Sequence, residues 1–487
     1  MGVEQNSSAG AVEGGPYARS IRAVARLLGP ALLGVFLISE PPEGLAPEAW
    51  RCLGVVVWMV VWWITEAVPI SVTAFLPLVL FPLLGVRSLR EAAIPYSDPV
   101  IFLFVGGFIL AKGFERWRLH ARIALLIASR LGTQPAALLA AFMLSAALVS
   151  MWISNTATTL MLVPIALGVV AGFHGDGEAR QRFASALMLG IAYGATIGGI
   201  GTPIGTPPNL IGLAYLERQG ISITFLQWMM MALPIVALML PAAWWVLSRR
   251  LPASGAAERE AAARTFREAM SGLGPMTSAE RRLAIVFFVV ALCWITRDWL
   301  VRLPGLQGLS DPGIAVAGAL ALFVIPAGRG APGTMLMDWK TAESIPWGVA
   351  LLYGGGLSIA AAMDASGLSA WAGQLLAPLG AWPVWAVVLC MVTVTVFASE
   401  LTSNTATITS LLPLVTAVAL ATQADLKVLT VPVTLAASFG FMLPISTPPN
   451  SIAYGTGWVQ QRHMISAGLR LNLIGSALIT GVCLALI

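Results

Sequence analysis

Long apolar segments, separated by short polar ones, fill most of the 487-residue chain. A helix needs about 20 apolar residues to cross the hydrocarbon core of a bilayer, and eleven segments approach or exceed that length. In chain order they are residues 27–39, 52–68, 70–86, 98–131, 184–217, 225–248, 283–300, 312–326, 346–365, 428–457 and 466–487. The pattern predicts eleven transmembrane helices, of which the first must extend beyond its short apolar run and the fourth is long or broken.

Two further segments, 131–173 and 383–424, are poor in charge and each about twice the length of one span. Each must therefore return to the side of the membrane from which it entered. Their centres are small and hydroxyl-rich and contain no Lys or Arg, whereas loops that reach water usually carry some charge. We favour two re-entrant hairpins with tips inside the membrane over hairpins whose tips emerge on the far side.

The composition excludes a soluble globular protein. Hydrophobic residues make up 57% and charged residues 10% of the chain, and the mean hydropathy is +0.83, whereas soluble domains carry about 25% charged residues. Of the 28 Lys and Arg residues, 21 fall on one side of the predicted topology and 7 on the other. Because basic residues collect on the cytoplasmic side, this bias predicts a cytoplasmic N-terminus and a periplasmic C-terminus. The net charge of +5 then indicates cytoplasmic loops in a lipid bilayer, not nucleic-acid binding.

A long polar interruption divides the chain into halves of similar size. Its middle offers Glu260 and Arg264 at the i, i+4 spacing that pairs side chains along a helix. The predicted organisation is a disordered cytoplasmic tail (1–20), a first half (21–248), a solvated cytoplasmic linker helix (249–282) and a second half (283–487).

The two halves carry the same two motifs in the same order. Ser-Asn-Thr-Ala-Thr at 154–158 recurs at 403–407, and Gly-Thr-Pro-Pro-Asn at 205–209 recurs as Ser-Thr-Pro-Pro-Asn at 446–450. With eleven crossings the first hairpin enters from the cytoplasm and the second from outside, so the repeats have opposite orientation. Inverted repeats of this kind place a binding site near the bilayer midplane, where the halves meet.

Each Pro-Pro pair interrupts a segment that would otherwise be a single helix. Proline removes a backbone donor and disfavours helix in the residue before it, so two broken helices are expected. Unwound backbone is tolerated in a membrane only where it lines a cavity or is buried in protein. Two hairpin tips and two unwound spans therefore point to one polar site, although Ser, Thr and small residues can also serve only close helix packing.

The chemistry of these segments suits a small hard cation together with an anion. Unwound carbonyls and Ser, Thr and Asn oxygens suit sodium, and half-helix N-termini offer amides to an anion. Neither hairpin contains Lys, Arg or His, so an anion would be held by amides, hydroxyls and co-bound cations. Glu66 and Glu400 are the notable acids of the membrane region, and such residues are candidates for function.

The Trp-Trp-Ile-Thr-Glu-Ala-Val-Pro segment at 62–69 and the two pairs of motifs resemble the divalent anion/sodium symporter family, whose members include sodium-coupled dicarboxylate transporters. The resemblance implies a bacterial inner-membrane homodimer that moves a transport domain against a scaffold as an elevator. It implies no organic cofactor. The scaffold parts would be 21–95 and 283–380, and the transport parts 96–248 and 381–487.

The resemblance also implies the site residues. The first sodium site would use Ser150, Ser154, Asn155 and Gly205. The second would use Ser399, Thr402, Asn404 and Ser446. The substrate carboxylates would meet Asn155, Thr156, Thr206, Asn404, Thr405, Thr447 and Pro448. The family commonly has Ala in place of Ser446 and Thr in place of Ser399, but coordination through backbone carbonyls would survive both changes.

Sodium-coupled symport of C4-dicarboxylates into the cell is the preferred hypothesis. A sodium-independent dicarboxylate or citrate exchanger is the alternative, and sulfate fits two separated tips less well. A membrane receptor without transport is a third option. An intramembrane enzyme using Ser154 or Glu400 would need a general base, but His120, His174 and His463 all fall in cytoplasmic flanks.

Overall fold

The computed structural model describes residues 16–173, 177–249, 251–252 and 255–487. The regular elements of this part of the chain are helices, and its β-structure is one isolated bridge between Pro326 and Met335. The all-α class is therefore confirmed.

The first half contains twelve α-helices within the described residues. They are α1 (Pro16–Ile38), α2 (Pro47–Thr65), α3 (Ile70–Thr73), α4 (Leu76–Leu83), α5 (Leu89–Ala93), α6 (Pro99–Arg116), α7 (Leu119–Ala128), α8 (Pro135–Ser150), α9 (Asn155–Ala171), α10 (Gly177–Gly199), α11 (Pro207–Arg218) and α12 (Phe225–Ser248). A 3-10 helix at Ile94–Ser97 joins α5 to α6.

The linker and second half contribute eleven more helices in the described chain. They are α13 (Ala256–Leu273), α14 (Ser278–Leu300), α15 (Asp311–Val324), α16 (Trp339–Ala342), α17 (Trp347–Ser366), α18 (Leu368–Leu375), α19 (Val384–Ser399), α20 (Asn404–Thr422), α21 (Leu426–Ala436), α22 (Pro448–Gly455) and α23 (Gln461–Leu486). A second 3-10 helix spans Ala377–Ala381.

Two predictions near the N-terminus are wrong, one on where the first helix begins and one on the continuity of a span. The tail was expected to be disordered through residue 20, but α1 begins at Pro16, because proline suits the first turn of a helix; residues 1–15 lie outside the described residues. The predicted span 70–86 is interrupted between α3 and α4, where Pro77 lies at the start of α4. The ring of Pro77 would clash with the carbonyl of Thr73 in a continuous helix.

The length of the helices bears on the predicted hairpins. Among the described residues, seven helical segments are long and apolar enough to cross a bilayer, and seven shorter apolar helices of 10–17 residues accompany them. Three of the four hairpin arms, α8, α9 and α19, belong to the shorter group. At 1.5 Å per residue they span at most about 26 Å, less than the roughly 30 Å hydrocarbon core. The short length of these arms suits re-entrant hairpins. The number of eleven transmembrane crossings stays a prediction.

The linker helix α13 differs from the expected solvated helix. It packs against α7 and α9. Ala262 and Phe266 lie four residues apart and therefore on one face of the helix, and both side chains are buried. The predicted Glu260–Arg264 pair is also wrong. Glu260 instead pairs with Arg267, and Arg264 lies 3.9 Å from Glu268.

Apolar side chains form two buried clusters. The smaller joins α1, α2 and α4 to α17 and α18 through Leu33, Trp63, Phe81, Leu352 and Leu368. The larger contains both hairpins, both broken helices, α12 and α23, and also α6, α14 and α15.

Both hairpins are held in the same way. In each half the first arm packs on the first part of the broken helix, α8 on α10 and α19 on α21. The second arm packs on the broken helix of the other half, α9 on α22 and α20 on α11. A Cβ at Gly198 would overlap the carbonyl of Ala147, so glycine allows α8 and α10 to approach closely. These reciprocal contacts join the second arm of each hairpin, which begins at a Ser-Asn-Thr motif, to a helix that begins at a Pro-Pro-Asn motif of the other half.

Candidate functional site

Each of the four motifs begins a helix. Asn155 and Asn404 are the first residues of α9 and α20, and Pro207 and Pro448 are the first residues of α11 and α22. The Ser154 hydroxyl caps α9 by accepting from the N–H of Ala157 at 3.3 Å. Ser and Thr favour this position because their oxygen satisfies a free amide, and Pro favours the first turn. The two predicted broken helices are confirmed.

The last Asn of each Pro-Pro-Asn motif closes the unwound backbone beside it. Asn209 Nδ2 donates to the carbonyls of Gly199 at 3.1 Å and Thr202 at 2.8 Å. Asn450 Nδ2 donates to the carbonyls of Gly440 at 2.9 Å and Leu443 at 3.1 Å. Buried carbonyls outside a helix need such partners.

Asn209 and Asn450 are fully buried, yet neither was among the predicted site residues. Their repetition at the same place in both halves was the signal that could have identified them. Both side chains now belong to the candidate site as supports of its backbone.

Three residues of the predicted first sodium site are brought together. Ser150 Oγ donates to Asn155 Oδ1 at 2.5 Å, and Gly199 lies so close that a Cβ there would be 2.6 Å from the same oxygen. Gly205 packs against the carbonyls of Gly199 and Met151. Oxygens therefore converge at this tip, while the Ser154 hydroxyl is used in its helix cap. The Met151 and Gly199 carbonyls were missed, because backbone groups leave no residue-type signal.

The predicted second sodium site is only partly assembled in the same way. Ser446 Oγ donates to the carbonyls of Gly440 at 3.1 Å and Leu443 at 2.7 Å. A Cβ on Gly440 would lie 3.4 Å from the carbonyl oxygen of Ser399, so Ser399 and Ser446 are neighbours.

The other two members, Thr402 and Asn404, make different contacts. Thr402 Oγ1 hydrogen-bonds Thr407 Oγ1 at 2.5 Å and donates to the carbonyl of Ala398 at 3.0 Å. Asn404 Oδ1 has no hydrogen-bond partner among the described residues, in contrast to Asn155 Oδ1 in the first half.

Unpartnered amide oxygens recur in this region. Within the described chain, the Oδ1 atoms of Asn209, Asn404 and Asn450 are buried and accept no hydrogen bond. A buried polar atom without a partner costs roughly 1–3 kcal/mol. A cation or a hydrogen-bond donor would satisfy these acceptors, so the residues present fit a small hard cation.

The predicted substrate residues lie at the same four helix starts. Thr206 and Thr447 precede α11 and α22 in extended conformation and are buried. Thr156 and Thr405 follow the first residues of α9 and α20, the former half-buried and the latter buried. Pro448 is exposed. In α9 and α22 one first-turn amide, that of Ala157 and that of Asn450, is bonded to the Ser154 and Thr447 hydroxyls. The start of a helix is a site suited to carboxylates.

The two candidate acids have different surroundings. Glu66 ends α2 and lies 3.6 Å from Arg22, with half of its side chain exposed. Glu400 is 3% exposed and directly follows α19 at the second hairpin tip. Glu66 is therefore part of an exposed ion pair, whereas Glu400 belongs to the motif region.

Duplicated helical hairpins and broken helices with oxygen-rich starts are the architecture of a membrane transporter. The family described as the sodium:sulfate symporter transmembrane region matches residues 22–486, and the chain belongs to that family. It is a transporter and not an enzyme.

Curated relatives extend over nearly the whole chain. The sodium-dependent dicarboxylate transporter SdcS of Staphylococcus saprophyticus is 37% identical over 464 residues, covering 94% of this chain and 89% of the relative. The protein of the same name from Staphylococcus aureus is 36% identical with the same coverage. Among solved structures, the YdaH transporter of Alcanivorax borkumensis is similar with a TM-score of 0.51, 12% identity and 96% coverage of both chains. At that identity the structural likeness concerns the fold alone.

Proposed function

We propose that the chain is a sodium-coupled symporter that moves C4-dicarboxylates, of the succinate, malate and fumarate type, into the cell. The observation that carries the proposal is that four helices begin at duplicated, oxygen-rich segments and pack across the two halves, α9 on α22 and α20 on α11. Neither hairpin contains Lys, Arg or His. Relatives named sodium-dependent dicarboxylate transporters support it.

The proposed division of labour follows from charge. A dianion that meets no basic side chain needs cations beside it, and Ser150, Asn155 and Gly205 at one tip and Ser399, Asn404 and Ser446 at the other supply oxygen ligands. Ser154 and Thr402 complete these two sodium sites. The substrate carboxylates accept hydrogen bonds from the residues beside the helix starts, namely Asn155, Thr156, Thr206, Asn404, Thr405 and Thr447. Pro448 has no donor and is proposed to contact the substrate through its position at the start of α22.

Two equivalent tips favour a substrate with two separated carboxylates. A monocarboxylate would leave one tip unfilled, and unpaired buried polar groups cost roughly 1–3 kcal/mol each. This is the reason to prefer a dicarboxylate to a monocarboxylate or a compact sulfate.

The proposed setting is a homodimer in the bacterial inner membrane, with the N-terminus cytoplasmic and the C-terminus periplasmic. The hairpins form inverted repeats, and the transport parts 96–248 and 381–487 move as an elevator against the scaffold parts 21–95 and 283–380. The smaller apolar cluster gathers α1, α2 and α4 apart from both hairpins, which supports a separate scaffold part. Helices α17 and α20 contribute side chains to both clusters, and α14 and α15 pack with α6 in the larger one.

The test is uptake of labelled succinate into proteoliposomes that contain no internal substrate, with sodium, potassium or choline outside. Symport predicts accumulation only with an inward sodium gradient. Each net positive charge moved inward gains about 2.3 kcal/mol per 100 mV of inside-negative potential, so three sodium ions per dianion would make uptake voltage-dependent and two would not. Accumulation only in preloaded vesicles, whatever the cation, would establish an exchanger instead.

A further inference from the structure

Glu400 is the single charged residue in the two hairpin segments 131–173 and 383–424. It lies four residues before Asn404, where the first repeat has Met151 four residues before Asn155. Its side chain is 3% exposed, and among the described residues it forms an ion pair with no Lys, Arg or His. A buried carboxylate is costly unless hydrogen bonds replace its water, so its contacts decide its role.

Four donors converge on this carboxylate. Oε1 accepts from the backbone N–H groups of Phe441 at 2.7 Å and Met442 at 2.8 Å, and Oε2 accepts from that of Leu443 at 3.0 Å. Asn472 Nδ2 on α23 donates to Oε1 at 2.7 Å. Both oxygens act as acceptors, which is the pattern of an ionised carboxylate. Three consecutive amides of the unwound segment between α21 and α22 are thus held by one side chain.

The same amides lie next to the predicted second sodium site. Leu443 donates its N–H to Glu400 while its carbonyl accepts from Ser446 Oγ at 2.7 Å and from Asn450 Nδ2 at 3.1 Å. Ser399, which precedes Glu400, presents its carbonyl to Gly440 at the other side of that segment. Glu400 therefore connects the tip of the second hairpin to the residue that orients Ser446.

The first repeat makes the corresponding connection without a charge. There the carbonyl of Met151 accepts from the Thr202 hydroxyl, so a neutral hydrogen bond joins hairpin tip and unwound segment. Charge-assisted hydrogen bonds are roughly twice as strong as neutral ones. The two halves thus differ in how firmly tip and unwound chain are held together.

We propose that Glu400 is a positioning residue that clamps the tip of the second hairpin to the unwound segment 437–447, and thereby sets the sodium affinity of the second site. This inference rests on the sodium-coupled function proposed above. The ion concerned is the sodium ion of the second site. Glu400 does not coordinate this ion but acts on its site through Leu443 and Ser446.

The decisive variant is Glu400→Gln, which keeps the shape but replaces one acceptor oxygen by an amide that would face a backbone donor. Because a ligand that binds the folded state raises its stability, sodium should raise the melting temperature of the purified wild-type protein relative to potassium at equal ionic strength. For Glu400→Gln we expect the sodium concentration that gives half of the maximal rise in melting temperature to increase at least about tenfold. Loss of one hydrogen bond to a charged group corresponds to about this factor. Glu400→Asp, which keeps the charge but is shorter, should show a smaller rise.

Glu66→Gln is the matched control, because Glu66 lies in a half-exposed ion pair. The half-maximal sodium concentration of this variant should equal that of the wild type. In proteoliposomes, the succinate KM of Glu400→Gln at saturating sodium should stay near the wild-type value, whereas a general packing defect would also change it.

The possible outcomes separate the two proposals. A wild-type protein that sodium does not stabilise would refute sodium coupling and this inference with it. A wild-type sodium response together with an unchanged half-maximal concentration in Glu400→Gln would overturn the positioning role alone. Recovery of both Glu400 variants only as unfolded protein that sodium does not rescue would also overturn it, in favour of a carboxylate needed solely for folding.

Discussion

Truncation of the two tip asparagines, Asn155 and Asn404, to alanine should lower the stability of the protein by different amounts. Both truncations should impair transport. Asn155 Oδ1 accepts from Ser150 Oγ at 2.5 Å, so Asn155→Ala leaves a buried hydroxyl without its partner. Asn404 Oδ1 is buried and unpartnered among the described residues, so Asn404→Ala removes an acceptor that the fold does not use. The same substitution therefore tests two different local structures.

The magnitudes follow from these contacts. Leaving a buried polar group unpaired costs roughly 1–3 kcal/mol, so Asn155→Ala should lose about that much unfolding free energy and Asn404→Ala clearly less. Each side chain is proposed to contact an ion, and a hydrogen bond to a charged group is worth about 1.5–3 kcal/mol, or roughly 10-fold to 150-fold in affinity. Both variants should therefore raise the half-saturating sodium or succinate concentration by at least about tenfold.

The assay combines thermal unfolding of the purified variants in detergent with initial rates of succinate uptake in proteoliposomes. Gln227→Ala is the control, because this amide only caps the exposed start of α12 and should leave uptake unchanged. Transport close to the wild-type level by either asparagine variant would refute the site assignment. Equal destabilisation by both would show that Asn404 Oδ1 is engaged in the folded protein without ligand.

Three further predictions concern topology, substrate and packing. Single cysteines at exposed positions Gly177 and Asp425, in a background without other cysteines, should label from the cytoplasm and the periplasm respectively; labelling of both from one side would contradict inverted repeats. Succinate should compete with labelled substrate far better than butyrate, because only a dicarboxylate fills both tips, and equal competition would argue against two carboxylate positions. Gly198→Ala should lower the melting temperature, since its Cβ would overlap the Ala147 carbonyl and overpacking costs typically 1–3 kcal/mol; an unchanged melting curve would show that α8 and α10 are not closely packed.

The features that depend on a few neighbouring residues could be predicted from the sequence. Apolar runs predicted the all-α class, and the Pro-Pro pairs located both breaks, because proline acts on its own turn of backbone. The duplication of Ser-Asn-Thr and Thr-Pro-Pro-Asn in the sequence indicated which segments form the candidate site. The predicted span 70–86 is wrong for the same local reason, because Pro77 at the start of α4 interrupts it.

The partners of polar side chains were decided by the tertiary structure. Asn472 reaches Glu400 across 72 residues of sequence, and Tyr193 donates to the carbonyl of Phe441 across 248. Even within α13, Glu260 pairs with Arg267 and not with Arg264, which lies 3.9 Å from Glu268. Hydrophobic period and proline chemistry are properties of short segments, whereas a hydrogen bond requires two groups within about 3 Å, and the folding of distant helices onto one another determines which groups meet that condition.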